Sequence, residues 1–428
     1  MLGLAGFITI VGVLIGILSK RLSPLMALIL IPAVVTVLIG QGAALPDYMI
    51  KGIVSIAPVA VMFMFAILFF GLMNDVGVFN PIINTTIKVC GSDPRKLFMG
   101  VVLITSLVHL DGSGASTFLI VVPAVLPIFD ALKLDRRILA CLVAMAAGVN
   151  NMLPWGGPTI RAAAALDVPV MELYQPLFMV HLSGLLFVFA VAYWLGAKAR
   201  KSLPSGVCLV SVHGAGEAAV SVSGARWMLN LLLIVLVIIS IIASLLPPAI
   251  AFIGGTLVAL LMNYTNVDSQ KARIDAHAKP AFMMVTILFA AGCFTGILRH
   301  SGMLDAMAHQ GGALLPQAMI NYLPLVMALV AMPLSLLFDP DSFYFGILPV
   351  LAGIAGDAGV GTESLAHGAL LGQMTTGFPV SPLTPATFML VGLARISLAD
   401  HQRFAFGYLY LTSLFMTVIA VLTGVIGL

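Results

Sequence analysis

The chain has 428 residues, 61% of them hydrophobic and only 9% charged, where a soluble domain carries about a quarter charged residues. That composition excludes a soluble enzyme and predicts an all-α polytopic membrane protein. The net charge of +3 reads as membrane topology rather than as a site for nucleic acid or another polyanion.

The longest polar interval, 198–226, is linker-sized and rich in Gly, Ser and Ala, so no sizeable soluble domain is expected. No GxxxxGK[ST] loop occurs, and any transport must draw on an ion gradient or on the solute itself. Cys90, Cys141, Cys208 and Cys293 form no CxxC pair and read as small apolar fillers. Lys20 and Arg21 follow the first apolar run, the wrong order for a cleavable signal, so that run is expected to stay as a membrane helix.

Stretches long enough to cross about 30 Å of hydrocarbon fall at 2–18, 24–40 and 52–78. The next apolar leg, 97–110, spans only about 21 Å of helix at 1.5 Å per residue. It ends at HLDGSGAST (109–117), and a second leg, 118–129, carries Pro123 and Pro127. Two short legs around a polar tip predict a re-entrant hairpin. The segment 138–166 is broken at NNMLPWGGPTIR (150–161), where two prolines and two glycines cannot continue a helix. A span at 177–197 follows.

After the linker the order returns: spans at 227–244, 249–263 and 281–298, a hairpin of legs 323–338 and 343–354 around DPDS, a segment 366–394 broken at TTGFPVSPLTPAT (375–387), and a last span at 405–427. Pro123 aligns with Pro349 and Pro158 with Pro385, at offsets of 226 and 227. The chain therefore reads as two repeats, 1–197 and 227–428, joined by a cytoplasmic linker at 198–226. Each would hold five transmembrane helices and one re-entrant hairpin, an odd number of crossings, so the second repeat is inverted. Inverted repeats with discontinuous helices are the usual construction of secondary transporters. With both termini outside, seventeen of the 20 basic residues fall in cytoplasmic loops, Lys51 and Arg299 on the other side, and Arg161 in the membrane.

The four breaks carry the candidate site. Each offers free N–H groups at the start of a half-helix, where roughly half a positive charge accumulates and carboxylate or phosphate oxygens bind well. The candidate anion ligands are Ser113, Gly114, Ser116 and Thr117 from the first hairpin, and Asn150, Asn151, Gly156, Gly157 and Thr159 from the first broken helix. The second repeat adds Ser342, Ser381, Thr384 and Thr387. Arg161 can clamp a carboxylate with its planar fork, or pair with an aspartate to hold the broken helix together. Both hold if the pair is exchanged for substrate.

Asp111, Asp339 and Asp341 invite a proton, sodium or a divalent metal carried with the substrate. Alternatively they cap half-helices, and Asp341, just before Ser342, suits that role better than Asp111 does. His109 can carry a proton or serve as a structural donor, as can His181. His109, Asp111 and Ser113 lack an elbow motif and an oxyanion hole, so no hydrolase is expected. Asp75, at the end of the third span, reads as interfacial.

LDGSGAST, NNMLPWGGPTIRA, DSFYFGILPVLAGIA and LLGQMTTGFPVSPLTPATFMLVGLA followed by LADHQRF resemble the citrate–metal symporter family of bacteria, within the ion transporter superfamily. The resemblance runs over nearly the whole chain. It implies proton-coupled uptake of citrate, or a related carboxylate, as a complex with Mg2+ or Ca2+ across the cytoplasmic membrane, with no permanently bound cofactor. It also implies a homodimer whose scaffold (1–78 and 227–298) is fixed and whose transport part (97–197 and 321–428) moves as an elevator. A cation/proton antiporter on the same scaffold is the competing expectation, needing the aspartates but not the hydroxyl-rich half-helix ends.

Overall fold

A computed structural model describes residues 2–19, 21–91, 93–202, 224–312 and 320–427. Residues 203–223, which hold most of the expected linker and Cys208, and also Lys20, lie outside the described residues. The described chain is all-α, without strands. The first nine helices are α1 (Leu2–Leu18), α2 (Pro24–Leu38), α3 (Leu45–Asp75), α4 (Asn80–Cys90), α5 (Pro94–Val108), α6 (Gly114–Ala131), α7 (Arg136–Asn150), α8 (Gly157–Leu166) and α9 (Val170–Ser202). Then come α10 (Gly224–Ile242), α11 (Pro248–Asn263), α12 (Val267–His300), α13 (Met303–Gly312), α14 (Leu323–Leu334), α15 (Leu348–Asp357), α16 (Thr362–Leu370), α17 (Pro385–Ala394) and α18 (Leu398–Leu422). Among the described residues, α10, α11 and α12 are close in length to α1, α2 and α3.

Among the described residues, six helical stretches are long and apolar enough to cross a membrane, Gly42–Asp75 and Val267–His300 included. The helix starts have local causes. Ser23 accepts from the Met26 N–H at 3.3 Å ahead of Pro24, and Asp93 and Asp135 accept from the N–H two residues on, at 3.0 and 2.9 Å. A short polar side chain at these positions satisfies one of the four unpaired N–H groups of a first turn.

Two elements differ from the sequence reading. The helices α4 and α13 were not expected, since each is too short and too polar to resemble a span. In α4 only Ile83 and Cys90 are buried, with Ile87 partly so against the core. Also, α12 begins at Val267, fourteen residues before the apolar run at 281–298. Hydropathy marks where lipid begins, whereas a helix with a good cap, here Asn266 accepting from Ser269 N–H at 2.7 Å, continues into water.

At the centre α3 crosses α12. A Cβ on Gly52 would collide with the Gly292 backbone, and one on Gly296 with the Tyr48 carbonyl. Small residues let the two backbones approach, the usual source of tight packing where lipid supplies no hydrophobic drive. Against this pair lie α2 and α11, with α1 packed on α2 and α13, and α10 on α11, while α5, α6, α7 and α9 associate with one another and α14 packs on α16 and α18. The first and second halves of the chain interlock where α6 meets α17 and α7 meets α18. Phe69, Phe70, Phe252 and Trp155 form a buried aromatic cluster, with Trp155 5.8 Å from Phe70 and 5.3 Å from Phe252, which joins the central helices to the first break.

Candidate functional site

The α5–α6 hairpin tip, the α7–α8 break, Pro340 of the second hairpin and the α16–α17 break all open on one cavity of about 390 Å3. Such a volume lies in the usual range of small-molecule sites. The N-terminal ends of three half-helices line it: Ser113 and Gly114 of α6, Gly157 and Pro158 of α8, and Thr384, Pro385 and Ala386 of α17. Three positive dipole ends therefore face one space.

At the first tip, the Asp111 carboxylate accepts from Ser113 N–H at 2.8 Å and from the Ser116 hydroxyl, and Ser113 Oγ accepts from Ser116 N–H at 3.4 Å. Asp111 thus shapes the turn while its carboxylate still lines the cavity. The Trp155 indole N–H donates to Leu110 O at 2.7 Å, tying the first break to the tip. Asn151 donates to Met374 O at 2.7 Å, tying that break to its counterpart in the second repeat.

Arg161, on α8, reaches the cavity and pairs with Asp341, Nε to Oδ1 at 2.8 Å, with both side chains 9% exposed. Its Nη1 donates to Gly157 O at 3.2 Å, and its Nη2 lies 3.8 Å from Met284 Sδ of α12. The pairing of an intramembrane arginine with an aspartate is therefore realised, at the edge of the cavity.

Of the three aspartates offered as caps, Asp111 and Asp339 hold their turns and Asp341 does not, the reverse of the expected ranking of Asp341 over Asp111. Asp339, not Asp341, accepts from the N–H groups of Asp341 and Ser342 at 3.0 and 3.1 Å, and from the Ser342 hydroxyl. A carboxylate reaches the amides two and three residues ahead more easily than those beside it, and this leaves Asp341 free for Arg161. A π-helical stretch, Ser342–Ile347, leads into α15. Asp111, Asp339 and Asp341 do not meet as one metal-ligand set, and no group of three His, Cys, Asp or Glu side chains does so among the described residues.

Of the candidate ligands, Asp111, Ser113, Gly114, Ser116, Asn151, Gly157, Arg161 and Thr384 line the cavity. The others sit behind it. His109 is buried, its Nδ1 2.8 Å from Thr117 Oγ1 and its ring stacked on Phe378. Asn150 donates to Ala146 O, Thr159 to Met152 O and Ser381 to Ser335 O, while Thr387 and Thr384 both donate to Phe378 O. Gly156 caps α8, and Ser342 serves the Asp339 turn. These polar groups satisfy the backbone that the breaks leave unpaired. His181 bonds Tyr174 at 2.9 Å, a structural role.

The sequence reading did not include the wall opposite the breaks. Phe63, Ile67, Gly71 and Asn74 of α3, and His277, Pro280 and Met284 of α12, complete the cavity. His277 bonds Asp75, Nε2 to Oδ2 at 2.9 Å, so Asp75 is a partner in the site's wall rather than merely interfacial. The available signal was Asn74–Asp75 at the end of a long apolar run.

The citrate transporter family (CitMHS) matches residues 5–372 of the chain. The chain is 41% identical to a citrate transporter of Bacillus subtilis (strain 168) over 431 residues, covering all of both chains. It is 38% identical over 435 residues, again with full coverage of both, to that organism's Mg(2+)/citrate complex secondary transporter. In three dimensions it is similar to the YdaH transporter of Alcanivorax borkumensis, described as having an unusual topology, with a TM-score of 0.62 and 13% identity over 89% of this chain and 88% of that one. That last likeness concerns the fold.

Proposed function

The chain belongs to the citrate transporter family, a family of membrane carriers and not of enzymes, and from that premise we propose that it performs proton-coupled symport of citrate bound to a divalent metal. The observation that carries the reading is the convergence of three half-helix N-termini and Arg161 on one cavity. An anion with several carboxylates can spread its oxygens over those ends, taking charge-assisted hydrogen bonds from each. With Asp341 already beside Arg161, a carboxylate of the substrate would exchange for it. The metal would come as part of the substrate, chelated by citrate, with Asp111 the aspartate placed to complete its oxygen shell. That arrangement needs no dedicated metal cage, and its support is a relative named for the Mg2+/citrate complex.

In this reading the two sets of nine helices are inverted repeats, with α1–α3 and α10–α12 as scaffold and the hairpins and broken helices as a mobile transport part in a homodimer of the bacterial inner membrane. The crossing of α3 with α12, equivalent members of the two sets, supports it. Given both termini outside, Asn74 and His277 lie toward the cytoplasmic ends of their helices, so the cavity faces inward.

The test is uptake of radiolabelled citrate into proteoliposomes under an inward proton gradient, with and without Mg2+ or Ca2+. Uptake requiring both gradient and metal is expected. Cation flux without any added carboxylate would overturn the proposal in favour of a cation/proton antiporter.

A further inference from the structure

Of the groups lining the cavity, His277 is the one imidazole among the described residues, and it belongs to α12 rather than to the broken helices. Its place is built. Gly71 of α3 lies against the ring, where any Cβ would overlap Nδ1, Cε1 and Cγ. The Asp75 carboxylate of the same helix accepts from Nε2–H at 2.9 Å, and Arg273 reaches Asp75 at 3.6 Å. With one ring nitrogen held in this way, the tautomer is set and the other nitrogen, Nδ1, is the position that gains or loses a proton. Nδ1 has no hydrogen-bond partner among the described residues, and the side chain is 20% exposed, on the cavity side.

We propose that His277, held by Asp75, is the proton-linked contact for the substrate anion, supplied by the scaffold and not by the moving half-helices. Neutral imidazole presents only a lone pair at Nδ1, which repels a carboxylate. Taking one proton from water turns Nδ1 into a cationic donor, which accepts no electron pair but binds a carboxylate oxygen directly. Anion binding and proton uptake then favour each other by linkage. The other charged or titratable groups around the imidazole are Asp75 of α3, Arg273 one turn earlier on α12, Tyr264 after α11, Arg161 of α8 with its partner Asp341, and Asp111 at the hairpin tip. Within that set the imidazole is the group whose ordinary pKa lies nearest neutrality. Fixed on the scaffold at the cytoplasmic end of α12, the imidazole exchanges its proton with the cytoplasmic side, so it makes release of the anion pH-dependent without itself carrying a proton across.

This inference rests on the proton-coupled citrate reading and deepens it. Its test is calorimetric titration of the purified full-length protein with Mg–citrate in two buffers of different ionisation heat, which counts the protons taken up per complex bound. Citrate's own titration is common to wild type and variants and cancels between them. Wild type is expected to take up more protons per complex than His277→Gln when binding is measured at pH 7–8, and the variant to bind about tenfold more weakly or worse at pH 6, as loss of a charged hydrogen bond implies. Asp75→Asn keeps the imidazole but removes its anchor, and its pH midpoint for binding should move down. Equal proton counts and equal pH profiles in wild type and His277→Gln would overturn the role of His277, as would an unmoved midpoint in Asp75→Asn if the glutamine variant did not fold. Absence of Mg–citrate binding by wild type itself would instead overturn the citrate reading on which the inference stands.

Discussion

Replacing Asp341 with asparagine strips the counter-charge from an arginine whose side chain is only 9% exposed. Breaking a buried ion pair from one side costs about 3–5 kcal/mol, because the remaining charge stays desolvated. The single variant should therefore melt far below wild type in detergent, while Arg161→Gln combined with Asp341→Asn, which leaves no charge behind, should recover most of that loss. Transport separates the two roles of the pair. If a substrate carboxylate takes Asp341's place on Arg161, the double variant folds but forfeits charge-assisted hydrogen bonds of about 1.5–3 kcal/mol, a loss of about 10- to 150-fold in affinity. Thermal unfolding and equilibrium binding of Mg–citrate on the same samples measure both effects. A double variant that binds like wild type would show the pair to be purely structural and refute the exchange.

Three further outcomes are expected. Gly52→Val should force α3 and α12 apart and destabilise the protein by about 1–3 kcal/mol, read as a lowered melting midpoint and loss of monodispersity; an unchanged midpoint would contradict the close crossing. Trp155→Phe leaves the Leu110 carbonyl unpaired, costing about 1–3 kcal/mol, and should weaken substrate binding by loosening the hairpin tip; unaltered affinity and melting would show that the tip is held by other contacts. Asp111→Asn keeps an acceptor for Ser113 N–H and should fold normally, but binding of Mg–citrate should fall toward that of metal-free citrate; full metal dependence in this variant would remove Asp111 from the cation.

Much of the fold is legible in the sequence because membrane helices announce themselves by length and hydropathy, and because clusters of Pro and Gly with polar residues inside such runs mark breaks, whereas the lone prolines of α3, α9 and α12 do not. Every half-helix break placed at HLDGSGAST, NNMLPWGGPTIR, DPDS and TTGFPVSPLTPAT is a break in the structure, and all four reach one cavity. The polar residues at those breaks divide in a way that spacing alone does not reveal. Ser116 lines the cavity with its hydroxyl on Asp111, and Thr384 lines it although its hydroxyl, like those of Thr159, Ser381 and Thr387, turns back to a backbone carbonyl. Which way a hydroxyl turns depends on which carbonyl the tertiary fold leaves unpaired. That Asp111 and Asp339 hold their turns while Asp341 goes to Arg161 is decided by the same tertiary geometry. His277 was hidden because α12 extends past its apolar run as a polar helix, and a polar helix looks like loop to a hydropathy reading.

The central claim is that a carboxylate–metal complex sits where the half-helix ends meet. A structure determined in the presence of Mg2+ and citrate tests it most directly. The account predicts the ligand between Ser113–Ser116 and Gly157–Arg161, with one carboxylate on the Arg161 guanidinium and the metal toward Asp111. A ligand seated elsewhere, or an Arg161–Asp341 pair left unchanged beside bound citrate, would contradict it.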